Sequence, residues 1–300
     1  MLNNKEWELI NFAKGSQNKF IGDDCAVWNE KSLVVTTDHF CENIHFDLSF
    51  MPPEAVGWRL MAANASDVIA MGSLPTHYLL NIAVPANGFE TAKKMIEGIQ
   101  SFAVKYGITL LGGDTTSAEK FTLGVTMFGE KPEKPLLRSA AKPGDIVYLA
   151  AETGLSLCGF KALKHKLSGF EKSVERFLYP DPFLHMPKVS ELNAAIDISD
   201  SLLSELQLLC KLSNIAIEID FDKIPVNNEV AKYSKLFSIP IDRLIFGSGE
   251  EFILLFTADH RIDNAFAIGK VIPKSEKQLE IICKDRIINT NSIKLFSHFG

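Results

Sequence analysis

Five short acidic segments, each closing an apolar run, constrain this chain more than any other feature. They are Ile21-Gly22-Asp23-Asp24, Leu33-Val34-Val35-Thr36-Thr37-Asp38, Asn64-Ala65-Ser66-Asp67, Leu110-Leu111-Gly112-Gly113-Asp114-Thr115-Thr116 and Ala195-Ile196-Asp197-Ile198-Ser199-Asp200. A carboxylate held against apolar sequence is costly unless it is paired, hydrogen-bonded or bound to a metal. Seven aspartates in five places therefore point to one site that gathers hard divalent cations. Such cations take oxygen ligands and commonly serve phosphates.

The rest of the composition suits that expectation. With 300 residues, the chain has room for one large domain or two of ordinary size. It is 46% hydrophobic and 23% charged, as a globular chain with an ample core would be. No apolar run approaches the ~20 residues of a membrane span. The first residues lack the apolar stretch of a signal peptide, so a cytoplasmic protein is expected. Cys25, Cys41, Cys158, Cys210 and Cys283 are scattered, with no C-x-x-C pair, and read as buried free thiols. The net charge of −6 and the absence of a long basic run argue against a nucleic-acid partner.

Along the chain, strands are expected at 32–35, 79–84, 108–111 and 121–128, and helices at 54–71 and 89–106. The second helix carries Ala92, Met95, Ile96, Ile99, Phe102 and Ala103 at helical spacing. Glu130-Lys131-Pro132-Glu133-Lys134-Pro135 reads as a linker. Beyond it, strands are expected at 146–150, 215–219 and 251–256, and helices at 154–165 and 202–212. Both halves are thus mixed α and β, with a boundary near 130–140.

Each acidic segment offers its own chemistry. Neighbours on extended chain point to opposite sides, so one of Asp23 and Asp24 faces a site and the other is structural. Thr36, Thr37 and Asp38 put two hydroxyls and a carboxylate at a strand end, a common Mg²⁺ environment. Asp67 lies on a stretch too apolar for an exposed helix and shares a face with Asn64. Its charge requires a partner, which a metal can supply. Around Asp114, two glycines let backbone approach a phosphate closely; a hairpin or turn is the alternative. Neither a P-loop nor a G-x-G-x-x-G fingerprint occurs anywhere. Arg138 carries a planar fork suited to phosphate. Residues 196–200 alternate like a half-buried strand with Asp197 and Ser199 on one face, and Asp200 is placed to cap the next helix. His45, taken alone, reads as a structural or surface residue.

The ordered series IGDDCAV, TTD…ENIHFD, GWRLMAANASDVIAMGSLP, GGDTT, RSAAKPGD, AIDISD and GSGEEF resembles the thiamine-monophosphate kinases, in the ATP-binding superfamily typified by aminoimidazole ribonucleotide synthetase. The resemblance spans nearly the whole chain. It implies a two-domain α+β or α/β synthetase-like fold, with residues 1–135 an ATP/Mg-binding domain that pairs in a homodimer and 136–300 a C-terminal α/β domain. It implies direct transfer of the γ-phosphate of ATP to thiamine monophosphate. Asp24, Thr36, Thr37, Asp38, Asp67, Asp114, Asp197 and Asp200 would hold several Mg²⁺ ions, with Asp38, Asp67 and Asp114 catalytic through them. Gly113, Asp114, Arg138, Ser199 and Tyr106 would contact ATP, and His45 and Glu250 the thiamine substrate. The alternatives are another Mg-dependent ATP-using enzyme of the superfamily, or a metal-dependent phosphatase.

Three positions depart from the family pattern. Ser201 replaces a glycine, and at positive φ it would cost about 1 kcal/mol. Ser248-Gly249-Glu250-Glu251-Phe252 stands for Gly-Gly-Glu-Asp-Tyr, and Ile293 occupies a place where an aromatic is expected.

Overall fold

Two sheets carry the chain. The computed structural model describes residues 4–14, 20–184, 187–274, 279–283, 286–290 and 293. The N-terminal elements are α1 (Asn4–Lys14), β1 (Ala26–Trp28), β2 (Leu33–Cys41), α2 (Pro53–Ala70), β3 (Pro75–Val84), α3 (Phe89–Tyr106), β4 (Thr109–Ser117) and β5 (Thr122–Glu130). The strands form a five-stranded sheet in the order β1-β2-β5-β3-β4. All neighbours are antiparallel except β3 and β4, which run parallel.

Alternation decides which way β2 faces. Val34 and Phe40 are buried on the side that carries Thr36 and Asp38, and α2 lies against that side. Pro53 opens α2 at a position where its missing N–H is no loss. Gly72, at φ +77, ends the turn after it. The helix is buried almost all round, because α3 packs on its other side. That packing needs two glycines. A Cβ on Gly98 would lie 1.9 Å from the Glu54 carbonyl oxygen, and one on Gly57 1.9 Å from that of Met95. Both obstacles are backbone, so neither can swing aside. Gly98→Ala is therefore expected to destabilise by about 3 kcal/mol. A melt should show Tm lower by at least about 5 °C; an unchanged Tm would mean the helices do not meet there.

The second sheet follows residue 145. Its elements are β6 (Ile146–Leu149), α4 (Leu155–Lys164), α5 (Glu171–Leu178), β7 (Ala194–Asp197), α6 (Leu202–Ser213), β8 (Ile215–Asp220), α7 (Asn228–Phe237), α8 (Ile241–Phe246), β9 (Leu254–Ala258), β10 (Phe266–Pro273), β11 (Leu279–Cys283) and β12 (Arg286–Ile287). The strand order is β12-β11-β8-β10-β6-β9-β7. One apolar core joins this sheet to α4, α6 and α8.

Several expectations need correction. The stretch through Asp114 is neither loop nor hairpin; β4 continues to Ser117 as an edge strand, paired only with β3 among the described residues. The segment expected as a half-buried strand at 196–200 is a strand only to Asp197, with all four residues of β7 buried. The cap of α6 is Ser201, whose Oγ accepts from the Ser204 amide, and not Asp200. Strand β9 begins three residues later than expected, because Glu250 and Phe252 take left-handed φ of +53° and +50°. Among the cysteines, Cys25, Cys158 and Cys210 are buried free thiols, and Cys41 is free and half-buried. Among the described residues no helix is long and apolar enough to cross a membrane. The terminal His298-Phe299 lies outside the described residues.

Candidate active site

Helix α2 is the axis on which the acids assemble. Asp67, near its C-terminal end, accepts a hydrogen bond from Thr36 Oγ1 of β2 at 2.6 Å. One turn earlier, Asn64 fixes the strand against the helix: its Oδ1 accepts from the Asp38 amide at 3.0 Å, and its Nδ2 donates to Leu60 O at 2.9 Å. Between them, Ser66 Oγ lies 2.7 Å from Asp197 Oδ2, so the helix reaches the end of β7 in the second sheet. Asp24 completes the group. Asp24, Asp67 and Asp197 each bring a carboxylate oxygen within 4.8 Å of the others. The neighbouring acid has the structural role expected of one of the pair: Asp23 Oδ1 accepts from the Arg138 amide at 2.8 Å, while the Arg138 guanidinium bonds Asp24.

The electrostatics are those of charges waiting for a counterion. Burial, followed by the repulsion of Asp38, Asp197 and Asp24, raises Asp67 well above the usual carboxylate range. Burial and then Asp24 do the same to Asp197. Burial pushes Asp38 up to about 6. Asp24 Oδ2 and Asp197 Oδ1 are buried without a hydrogen-bond partner among the described residues. Oxygen donors, like charges and orphaned lone pairs together suit a hard cation.

This gives a pH prediction. A carboxyl whose folded pKa is raised adds stability that is full below its unfolded value and is lost as pH rises through the folded one. Metal-free protein should therefore lose Tm from about pH 4 upward, with the Asp38 contribution falling away near pH 6. Added Mg²⁺ should restore Tm most at the alkaline end. A Tm without metal that is flat or rising over pH 5–8 would contradict the burial of these charges.

A cavity of about 560 Å³ opens beside the acids. Asp38, Asp67, Asp197, Ser199 and Asp200 line it together with Phe46, Phe50, Phe160, Phe177 and Phe252. Phe160 sits 5.9 Å from Phe50 and 5.6 Å from Phe177, centroid to centroid. His45 lines it too. Its Nδ1 accepts from the Cys41 amide at 3.0 Å, which leaves Nε2 as the protonated nitrogen. Glu250 contributes a carboxylate from the second sheet's side.

Other sequence-selected residues stand elsewhere. Thr37 turns to the opposite face of β2 and donates to Val125 O. Gly113 and Asp114 lie on β4, whose nine residues are all exposed. Tyr106 stacks on Phe183 at 4.1 Å, beside Trp58 and Phe102. None of these lines the cavity.

The departures have local explanations. Ser201 has φ −177°, extended backbone open to any residue, and its hydroxyl supplies the cap of α6. Ser248 and Glu251 act as a pair at the start of α4. Ser248 Oγ donates to Glu251 Oε1 at 2.6 Å and accepts from the Leu157 amide, while Oε1 also takes the Gly154 and Ser156 amides. Ile293 is buried in the second core.

Sequence reasoning missed three residues. Ser66 joins Asp197. Glu205, buried on α6, accepts from the Asp200 amide at 3.2 Å; burial and then Asp200 raise its pKa. Arg59 is fully buried on α2. A lone charge within LLSELQLL or GWRLMAA was the available signal, since such a charge must find a partner inside.

Residues 22–130 match the family described as AIR synthase related protein, N-terminal domain. The chain is 35% identical to the thiamine-monophosphate kinase of Bacillus subtilis (strain 168) over 255 residues, 80% of this chain and 77% of that relative. It is 37% identical to that of Pyrococcus horikoshii over 264 residues, 84% and 82% of the two chains. Among solved structures, AaThiL complexed with AMPPCP and TMP superposes with a TM-score of 0.85 at 30% identity, covering 100% of this chain and 99% of that one.

Proposed function

This chain belongs to the thiamine-monophosphate kinase family, and we propose that its cleft passes the γ-phosphoryl group of ATP directly to the phosphate of thiamine monophosphate, giving thiamine diphosphate and ADP. The observation that carries this reading is the meeting of Asp24, Asp67 and Asp197 within 4.8 Å beside an aromatic-lined cavity. The acids suit polyphosphate chemistry, and the phenylalanines suit a flat, cationic ring system.

The donor set fits Mg²⁺, with Asp24, Asp67 and Asp197 as its ligands and Asp38 and Asp200 beside them. When bound, Mg²⁺ neutralises the phosphates of both substrates and polarises the transferring group. The chain's own residues supply position. Thr36 and Ser66 fix the rotamers of Asp67 and Asp197, and Asn64 holds Asp38 in register with them. Arg138 sets Asp24, and its planar fork suits a nucleotide phosphate. No side-chain nucleophile is required, because the acceptor is a phosphate oxygen. A base is also unnecessary, since a phosphate monoester with its second pKa at about 6 is largely ionised near neutrality. What remains is alignment and charge neutralisation, the usual demands of phosphoryl transfer.

The ATP assignment extends to Gly113, Asp114 and Tyr106, none of which lines the cavity of one chain. In a homodimer that paired through β4, Gly113 and Asp114 would lie beside a second chain. The exposed edge strand β4, with Leu110 and Leu111 about half exposed, is a pairing surface for a second copy. A monomeric sedimentation profile would remove this part of the reading.

The direct test incubates purified protein with thiamine monophosphate and MgATP and measures both products. Equal amounts of thiamine diphosphate and ADP are expected. ADP alone would mean a different acceptor, and free phosphate from thiamine monophosphate would mean a phosphatase.

A further inference from the structure

Arg59 has no exposed surface, and among the described residues it makes no hydrogen bond or ion pair to the metal-site acids. It projects from α2 two turns before Asp67. Its guanidinium donates to the Phe177 carbonyl, lies over the Phe177 ring at 4.1 Å from the centroid, and pairs Nη2 with Glu250 Oε2 at 2.6 Å. A cation fully withdrawn from water is retained only where its partners compensate it. Here the partners are two residues from the C-terminal half of the chain, Phe177 and Glu250, and both line the cavity.

The backbone around Glu250 is equally constrained. Glu250 sits at φ +53°, a conformation that costs a non-glycine residue about 1 kcal/mol and persists only when its surroundings fix it. They do. Its amide donates to Ser199 O at 2.6 Å, and Gly249 lies so close that a Cβ would meet Asp200 O at 2.2 Å. On the far side, buried Glu251 binds the first turn of α4. With the main chain held, Arg59 decides where the Glu250 carboxylate points. It occupies Oε2 and leaves Oε1 without a partner among the described residues.

We propose that Arg59 is a positioning residue for substrate recognition: it locks Glu250 so that Oε1 is presented to an N–H donor on the ring portion of the acceptor substrate. The inference rests on the kinase reading of the cavity and adds to it a residue that never touches the substrate. A guanidinium suits the task because its planar fork fixes direction as well as charge, which an ammonium does not. A strut that only joined the two sheets would need the pair but would not discriminate between the two substrates.

The test compares wild type, Arg59→Met, Arg59→Lys, Glu250→Gln and both Arg59/Glu250 double variants for the KM of each substrate, kcat and Tm. Arg59→Met should raise the KM of thiamine monophosphate about tenfold, the worth of one charge-assisted hydrogen bond, with the KM of ATP and kcat changed less than about threefold. Arg59→Lys should recover part of that loss. Each double variant should be no worse than Glu250→Gln alone, because Arg59 acts through Glu250. Additive losses, an equal rise in both KM values, or a lower Tm with unchanged KM would overturn the proposal. Should Arg59→Met fail to fold, Arg59→Lys with its double variant decides by the same additivity criterion. A wild type that makes no thiamine diphosphate overturns the kinase reading itself, and that result is read before any variant is compared.

Discussion

Asp67→Asn is expected to lower kcat by at least about 10³-fold, about 4 kcal/mol of barrier, while the fold survives. The two halves of this outcome have separate causes. Asparagine is isosteric, and its carbonyl oxygen can still accept the Thr36 hydroxyl that now bonds Asp67 Oδ2. What disappears is one negative charge at the centre of the acid cluster. Without metal, that charge is a burden: burial opposes it, and Asp38, Asp197 and Asp24 repel it. Metal-free Asp67→Asn should therefore melt at or above the wild-type temperature at pH 8. With Mg²⁺ the order should reverse, because the wild type gains from binding and the variant does not. Product assays and melts with and without Mg²⁺ check both halves. Wild-type turnover would remove Asp67 from the metal site, and a lower metal-free Tm would mean that its charge is compensated within the protein.

The paired expectation of activity and stability shows which parts of this molecule sequence reasoning could reach. Local signals were legible. Pro53 and Gly72 bracket α2, the period of Ala92, Met95, Ile99 and Phe102 marks the buried side of α3, and Glu130–Pro135 separates the strands of the two sheets. An aspartate on an apolar helix announced a need for partners before any partner was visible. Contacts between distant segments were not legible. Nothing local says that Ser66 reaches Asp197 across 131 residues, or that Arg59 finds Glu250. Turn chemistry misled at Asp114, where two glycines left a hairpin or turn open. Gly113 serves close strand pairing, since a Cβ there would meet Leu80 O at 1.7 Å. At Ser201 a missing glycine looked like strain, and the backbone there is extended. At Gly113 the deciding term was tertiary, a neighbour from another strand; at Ser201 it was local, the cap its hydroxyl makes to the Ser204 amide.

Arg138→Met reverses the Asp67 outcome by the same electrostatics. The Asp24 side chain is fully buried, and Arg138 is its ion-pair partner. Removing that cation strands a charge away from water, which costs about 3–5 kcal/mol, far above the value of a surface pair. A fall in Tm of at least about 8 °C is expected, with turnover lost as well. Stability and activity then part company in the double variant. Asp24→Asn together with Arg138→Met removes both charges, and an amide beside a thioether of similar volume needs no counterion. Most of the lost Tm should return. Activity should not, because the double variant still lacks a carboxylate of the three that converge within 4.8 Å and the fork beside it. Melts and product assays on the four proteins of this cycle separate the two roles of the pair. A double variant as unstable as Arg138→Met would show that Arg138 stabilises by packing. One that regained turnover would show that Asp24 serves only to neutralise Arg138, and the metal site would then consist of Asp67 and Asp197 with Asp38.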